Sequence, residues 1–259
     1  MENVKNKTAM ITGGATGLGY KYAEILLKYG ARSVAIIDLP TSNGQNAATT
    51  LENEFGKGRV IFVAADVTDN LETAFKTVID KFKTLDILIN NAGIMNEHLI
   101  EKTININVTA LIRSSFLALD HMGKHKSGNG GVIVNISSIF GLSTNGCLPV
   151  YCGSKYAVLG FSQALAELYD TTGVRILIMC PGITQTAIIE NTEHRICNIA
   201  NTTSAQSLYT LPTQTTDNTA SAMLNLIQKG KNGAVWVSEN RQPPYAVDFP
   251  HYSKRSLPV

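Results

Sequence analysis

The stretch "PVYCGSKYAVLGF", Pro149 to Phe161, sets a tyrosine, Tyr151, four residues ahead of a lysine, Lys155. The surrounding pattern predicts a helix, and on a helix positions i and i+4 share one face. A free phenol loses its proton near ~10 and is a poor base at neutral pH. A neighbouring ammonium favours the phenolate. Such a phenol can take the hydroxyl proton of an alcohol while a hydride leaves the carbon, and can return it in reverse. Ser138 closes "VIVNISS". Its hydroxyl can hold the substrate oxygen beside the base, where charge develops. The plain alternatives are two unrelated helix residues and a serine that caps a turn, a role that suits Ser137 better.

A second group of residues suits a dinucleotide. "TGGATGLG", Thr12 to Gly19, follows a predicted strand and opens a predicted helix. Gly13 permits a tight turn, Gly17 lets backbone approach a pyrophosphate, and Gly19 lets the helix pack on the sheet, with Thr16 and Leu18 between them. The helix start offers free N–H groups to the phosphates. Asp38 ends the next strand, where a carboxylate accepts the ribose hydroxyls and repels a 2′-phosphate. That favours NAD over NADP, although Arg32 lies just before the same strand. Asp66, in "ADVTD", is placed to meet the adenine, with Val67 against the ring, while Thr68 or Asp69 supplies the ordinary helix cap. "NNAG", Asn90 to Gly93, ends the fourth strand. Its asparagines, Asn91 among them, can tie strands together, and Ala92 and Gly93 leave space for cofactor.

The elements that must position these groups follow from periodicity. Apolar runs predict seven strands: Ala9–Thr12, Ser33–Asp38, Val60–Ala64, Ile87–Asn90, Gly131–Ser137, Val174–Cys180 and Ala234–Val237. Helical patterns include Gly17–Tyr29, Asn70–Phe82, Ile100–His125 and Val150–Thr171. Strand–helix alternation predicts one doubly wound α/β domain over residues 1–259, a mostly parallel sheet with helices on both faces. Residues 5–95 form the dinucleotide-binding half and 96–237 the catalytic half. Residues 183–216 break the rhythm and read as an apolar-rich lid. Residues 238–259 read as an irregular tail.

With 44% hydrophobic and 16% charged residues, the composition is that of a soluble globular protein. Net charge is +2 and the basic residues are scattered, which argues against nucleic acid. Cys147, Cys152, Cys180 and Cys197 form no C-x-x-C pair and no zinc pattern, so no metal is expected. They read as reduced thiols in a cytoplasmic protein. No apolar run is long enough for a membrane span. The start lacks the apolar core of a secretory signal, so the glycosylation triplets at Asn6 and Asn135 read as chance.

TGGATGLG, NNAG, Ser137-Ser138, Tyr151-Cys152-Gly153-Ser154-Lys155 and "CPG" at Cys180 occur in an order that resembles the short-chain dehydrogenase/reductase family. The resemblance covers residues 5 to 237. "LDILINNAGI", "PVYCGSK" and "CPGITQTAI" look most like NAD-dependent 15-hydroxyprostaglandin dehydrogenases and related insect alcohol dehydrogenases. It implies that Lys155 also holds the nicotinamide ribose and that Asn107, rather than Asn105, is a fourth catalytic residue holding a proton-relaying water. It implies that Pro181-Gly182 turns the chain toward the nicotinamide. Backbone at Ile183 would hold the carboxamide, with Thr184 or Thr186 in support. It further implies a homodimer or homotetramer, packed through faces carrying Leu111, Phe116, Leu159 and Leu165. Leu148 stands where the prostaglandin enzymes place a hydrogen-bonding glutamine.

Leu142, Leu148, Ile188, Ile189 and Tyr209 suit an apolar pocket for a lipid-like secondary alcohol or its ketone, with Ser138 on its oxygen. His194 reads as a surface residue. Two other functions fit parts of the pattern. A non-enzymatic dinucleotide sensor or storage protein would need no Tyr/Lys pair. A nucleotide-sugar epimerase would need a longer C-terminal region than follows Pro181.

Overall fold

The computed structural model describes residues 4–199, 208 and 210–257. Its frame is one eight-stranded sheet in the order β3-β2-β1-β4-β5-β6-β7-β8. The strands are β1 Thr8–Thr12, β2 Ser33–Asp38, β3 Val60–Ala64, β4 Ile87–Asn90, β5 Gly131–Ile136, β6 Val174–Pro181, β7 Val235–Ser238 and β8 Tyr245–Val247. The first seven are parallel. Helices cover both faces: α1 Gly17–Lys28, α2 Gly44–Phe55, α3 Leu71–Phe82, α4 Ile100–Ile104, α5 Leu111–Met122, α6 Pro149–Ala166, α7 Tyr169–Thr172 and α8 Thr216–Lys229.

The central strands are buried along their whole length, which is why they read as unbroken apolar runs rather than alternating ones. Two cores result. One packs Ile11, Ile36 and Ile89 against α1 and α8, and the other packs Met10, Leu88 and Ile133 against α3 and α5. Chain order reverses between β1 and β4, and at such a switch point the loops diverge and leave a crevice at the strands' C-terminal ends.

Three elements differ from the sequence expectation. β8 comes from the tail and pairs antiparallel with β7, Trp236 opposite Ala246. The helix expected over Ile100–His125 is interrupted by a π-helical turn at Asn105–Ala110 and ends at Met122. The one expected over Val150–Thr171 stops at Ala166, before the short α7. Gly173, at φ +62, then turns the chain into β6. Tyr209 and residues 200–207 of the expected lid lie outside the described residues.

Candidate active site

The loops at the C-terminal ends of the strands enclose a cleft of about 530 Å³. Glycine builds its nucleotide end. Gly13 turns the chain at φ +63, and Thr16 precedes α1 without a side-chain cap, which leaves the first helical amides to the cleft. A Cβ at Gly19 would lie 2.0 Å from the Gly13 carbonyl, so α1 can approach β1 only with glycine there. Gly19 therefore shapes the loop from behind, while Gly13, Thr16, Gly17 and Leu18 line the cleft.

Asp38 reaches the same wall from β2. One carboxylate oxygen accepts the Ala15 amide at 2.9 Å and the other accepts the Leu39 amide at 2.8 Å. Arg32 is at the opposite end of β2, where it donates to Thr8 Oγ1 at 2.8 Å and to Thr84. It does not compensate Asp38. Asp66 also lines the cleft, but it is itself a turn-former, contrary to expectation. Its Oδ1 accepts the Thr68 amide at 2.9 Å and hydroxyl at 2.7 Å. Those bonds hold its carboxyl below the usual range. The residue before α3 is Asn70, not Thr68 or Asp69. Val67 is buried in the core behind the cleft.

The asparagines of β4 act as ties. Asn91 donates to the Thr12 and Gly13 carbonyls, each at 3.0 Å, and Asn90 donates to Asn135 at 2.9 Å and Ser115 at 3.0 Å. These bonds fix the β1–β4–β5 ends against one another. Asn91, Ala92 and Gly93 all reach the cleft. A Cβ on Gly93 would stand 3.3 Å from Asn107 Oδ1 and 3.6 Å from Lys155 Nζ, filling space directly above the chemistry.

At the other end, α6 delivers Tyr151 and Lys155 to the cleft, as their spacing requires. Lys155 is only 4% exposed, donates to the Ile136 carbonyl at 3.0 Å, and lies 5.6 Å from the Tyr151 ring centre. Burial pushes its ammonium down to about 8. Burial also pushes the Tyr151 phenol up to about 12, with a hydrogen bond from the Ser138 side chain pulling the other way. This corrects the expectation that lysine simply lowers the phenol. The ammonium sits over the ring face and is bonded to backbone, while desolvation acts directly on the phenolate.

Asn107 lies fully buried within the π-helical turn. It donates to the Ile94 carbonyl at 2.9 Å and Ser154 Oγ at 3.0 Å, and accepts the Ile94 amide at 2.9 Å. A side chain so committed explains why an asparagine and a widened turn interrupt this helix. The exposed Asn105 makes none of these bonds. Pro181, Gly182, Ile183, Thr184 and Thr186 form the wall after β6. Thr184 is buried and donates to the Gly182 carbonyl at 2.9 Å.

Ser138 and Ile188 line the substrate side, but Leu148 does not. Leu148 is fully buried in the cluster of Met95, Phe140, Tyr151 and Cys152, behind the face that Met95, Phe140 and Tyr151 turn to the cleft. Leu142 packs in a separate cluster with Leu159 and Cys180. Met95, Phe140 and Ile183 take those places on the apolar wall, beside Ile188 and Ile189. His194 is exposed.

Besides the wall residues Met95 and Phe140, two supporting residues escaped the sequence reading. Buried Glu97 accepts the Val150 amide at 2.7 Å and the Tyr151 amide at 3.0 Å, one on each carboxylate oxygen. It thereby caps α6 in place of Leu148, which has no side-chain acceptor. Gln214, fully buried, donates to Thr184 Oγ1 at 3.2 Å and the Ser238 carbonyl, tying the wall after β6 to β7. Both act across long sequence separations, and no local motif marks them.

A family model described as short chain dehydrogenase matches residues 7–196. This chain belongs to that family. It is similar to the human 15-hydroxyprostaglandin dehydrogenase [NAD(+)], 42% identical over 195 residues, 74% of this chain and 73% of that protein. It is also similar to Alcohol dehydrogenase 1 of Ceratitis cosyra, 32% identical over 91% of this chain and 93% of that one. Among solved structures, levodione reductase shares the fold with a TM-score of 0.78 at 22% identity, over 91% of this chain and 96% of the other.

Removing the Glu97 cap should loosen Tyr151. Glu97→Ala strands two amides of the helix start, so stability should fall by about 1–3 kcal/mol. Turnover should fall about ten- to a hundredfold through misplacement of the phenol. Glu97→Gln keeps the shape and one acceptor oxygen and should recover part of both. Thermal unfolding and steady-state rates measure this, and wild-type turnover in Glu97→Ala would show the cap to be irrelevant to the phenol.

Proposed function

We propose that this protein is an NAD-dependent alcohol dehydrogenase that oxidises an apolar secondary alcohol to a ketone, or reduces it in reverse. The observation that carries the reading is Tyr151, Lys155 and Ser138 on one wall of a cleft whose other end is a glycine loop with an acidic strand end. The dinucleotide fits on structural grounds: uncapped α1 amides at the loop, a carboxylate at Asp38, and a cradle at Gly93 that a side chain would fill. NAD, when bound, supplies the hydride acceptor. Gly13, Thr16, Gly17 and Leu18 would hold its phosphates, Asp38 a ribose, Asp66 and Ala92 the adenine side, and Gly182 to Thr186 the nicotinamide side.

In the reaction Ser138 holds the substrate oxygen and Tyr151 takes the hydroxyl proton. Lys155 stabilises the charge left on the phenol, and Asn107 ties Ser154 of the same helix to the Ile94 backbone. Because the two acids are coupled, the first proton lost belongs to the pair. That stabilisation needs the ammonium form, so the phenol must give up its proton while Lys155 keeps its own. A non-enzymatic sensor has no use for a buried ammonium held under a phenol.

We read residues 1–259 as one domain, with 5–95 binding the nucleotide, 96–237 carrying the chemistry, 183–216 covering the substrate and 238–259 as tail. No described helix is long and apolar enough to cross a membrane. A cytoplasmic location and a homodimer or homotetramer complete the proposal. Leu111, Leu159 and Leu165 are buried within the chain and cannot form the contact expected of them. Phe116 on α5 and Tyr156 on α6 are exposed, at 49% and 41%, and remain available to a second copy.

Three outcomes are expected. NAD should be preferred to NADP in kcat/KM, and Asp38→Ala should narrow the gap by weakening NAD. Equal use of both by the wild type would refute the role of Asp38. Oxidation should rise with pH along a limb set by loss of the Tyr151 proton. Tyr151→Phe should lose that limb and at least about a hundredfold in turnover while still binding NADH. Retention of both would leave the phenol a packing residue. Sedimentation at micromolar concentration should show an oligomer of the 27.9 kDa chain, and a monomer alone would end that part of the proposal.

A further inference from the structure

The substrate side of the cleft is apolar along Met95, Phe140, Ile183, Ile188 and Ile189, with one exception, Arg195. The other charged residues of the wall are spoken for. Asp38 accepts the Ala15 amide of the glycine loop, Lys102 and Asp66 lie at the nucleotide end, and Lys155 is bonded to Ile136. Arg195 makes no side-chain ion pair among the described residues. Nearby Glu193 lies 3.7 Å from His194, and both are exposed. Glu97 has both carboxylate oxygens on α6 amides.

Arg195 is also fixed relative to the chemistry. Its carbonyl accepts the Glu97 amide at 2.8 Å, and Glu97 caps the helix that carries Tyr151. Two residues on, the Cys197 amide donates to the Cys147 carbonyl at 2.9 Å, just before the same helix. The main chain from Arg195 to Cys197 is thus pinned to Glu97, which caps α6, and to Cys147, just before that helix. Arg195 is half-buried and lines the cleft beside apolar residues, and a guanidinium presents a planar fork of donors. Its complement is an anion, best a carboxylate that accepts two bonds.

We propose that Arg195 binds the anionic head of the substrate, which is therefore an apolar secondary alcohol carrying a carboxylate. This rests on the dehydrogenase reading above. It assigns Arg195 a role in specificity, not in the hydride or proton steps.

The test is a ratio. Secondary hydroxy fatty acids of graded chain length are compared with their methyl esters, which share the alcohol and lack the charge. In the wild type the acid should be favoured in kcat/KM by about ten- to a hundredfold at its best length, the scale of a charged hydrogen bond. Arg195→Met keeps the stem without the charge and should bring the ratio to about one. Arg195→Lys should fall between. A general loss of folding or turnover moves acid and ester together and leaves the ratio intact. An acid-to-ester ratio near one in the wild type, or one unchanged by Arg195→Met, overturns the proposal. If esters and neutral alcohols are oxidised while no acid is oxidised or inhibits, the anionic substrate is refuted and the dehydrogenase reading stands. If no alcohol of any kind is oxidised with NAD, the dehydrogenase reading fails and this inference falls with it.

Discussion

An ammonium withdrawn from water needs a fixed acceptor, and Lys155 has one in the Ile136 carbonyl at the end of β5. That single bond ties helix α6 to the centre of the sheet. It holds the ammonium 5.6 Å from the centre of the Tyr151 ring. Around it the packing admits little change. Ser137 donates to the Lys155 carbonyl, and Asn107 occupies the space beside Gly93. The low proton affinity of Lys155 and the high one of Tyr151 are two results of the same desolvation.

A parallel sheet makes such a site possible because all its loops leave from one edge. The cost is that strand ends must be held level without turns to join them. Polar side chains do this here. Asn91 bridges β4 to the glycine loop, Asn90 meets Asn135 across β4 and β5, and Gln214 bridges to β7. Each is buried or nearly so, where a hydrogen bond left unmade would be costly. The same bonds that satisfy these groups therefore fix the register of the cleft wall.

The substrate side is held differently. The described residues after β6 carry short 3₁₀ turns at Ala187–Ile189 and Thr192–His194. Among the described residues this side is anchored by Gln214 near its start, by the Arg195 carbonyl on the Glu97 amide in the loop after β4, and by the Cys197 amide on the Cys147 carbonyl before α6. Glu97 joins two of these regions, since its amide meets Arg195 and its carboxylate meets Tyr151. Substrate wall and base are thereby referenced to one residue.

The seven parallel strands, most helices, the glycine loop and the placement of Asp38 and the Tyr151–Lys155 pair were legible in the sequence, because each depends on local period or fixed spacing. Buried parallel strands are apolar throughout, and a helix brings i and i+4 together wherever it packs. The similarity to the short-chain dehydrogenase family comes from those same local patterns. What only the tertiary structure decided depends on groups far apart in the chain. Glu97 caps a helix that begins 52 residues later, and Gln214 reaches β7. Leu148 and three of the four leucine and phenylalanine positions expected at a subunit contact are buried instead. Apolar character says that a side chain leaves water, not which surface it meets. The direction of the phenol's shift was likewise hidden, since spacing gives the neighbour of a charge but only packing gives its loss of solvent.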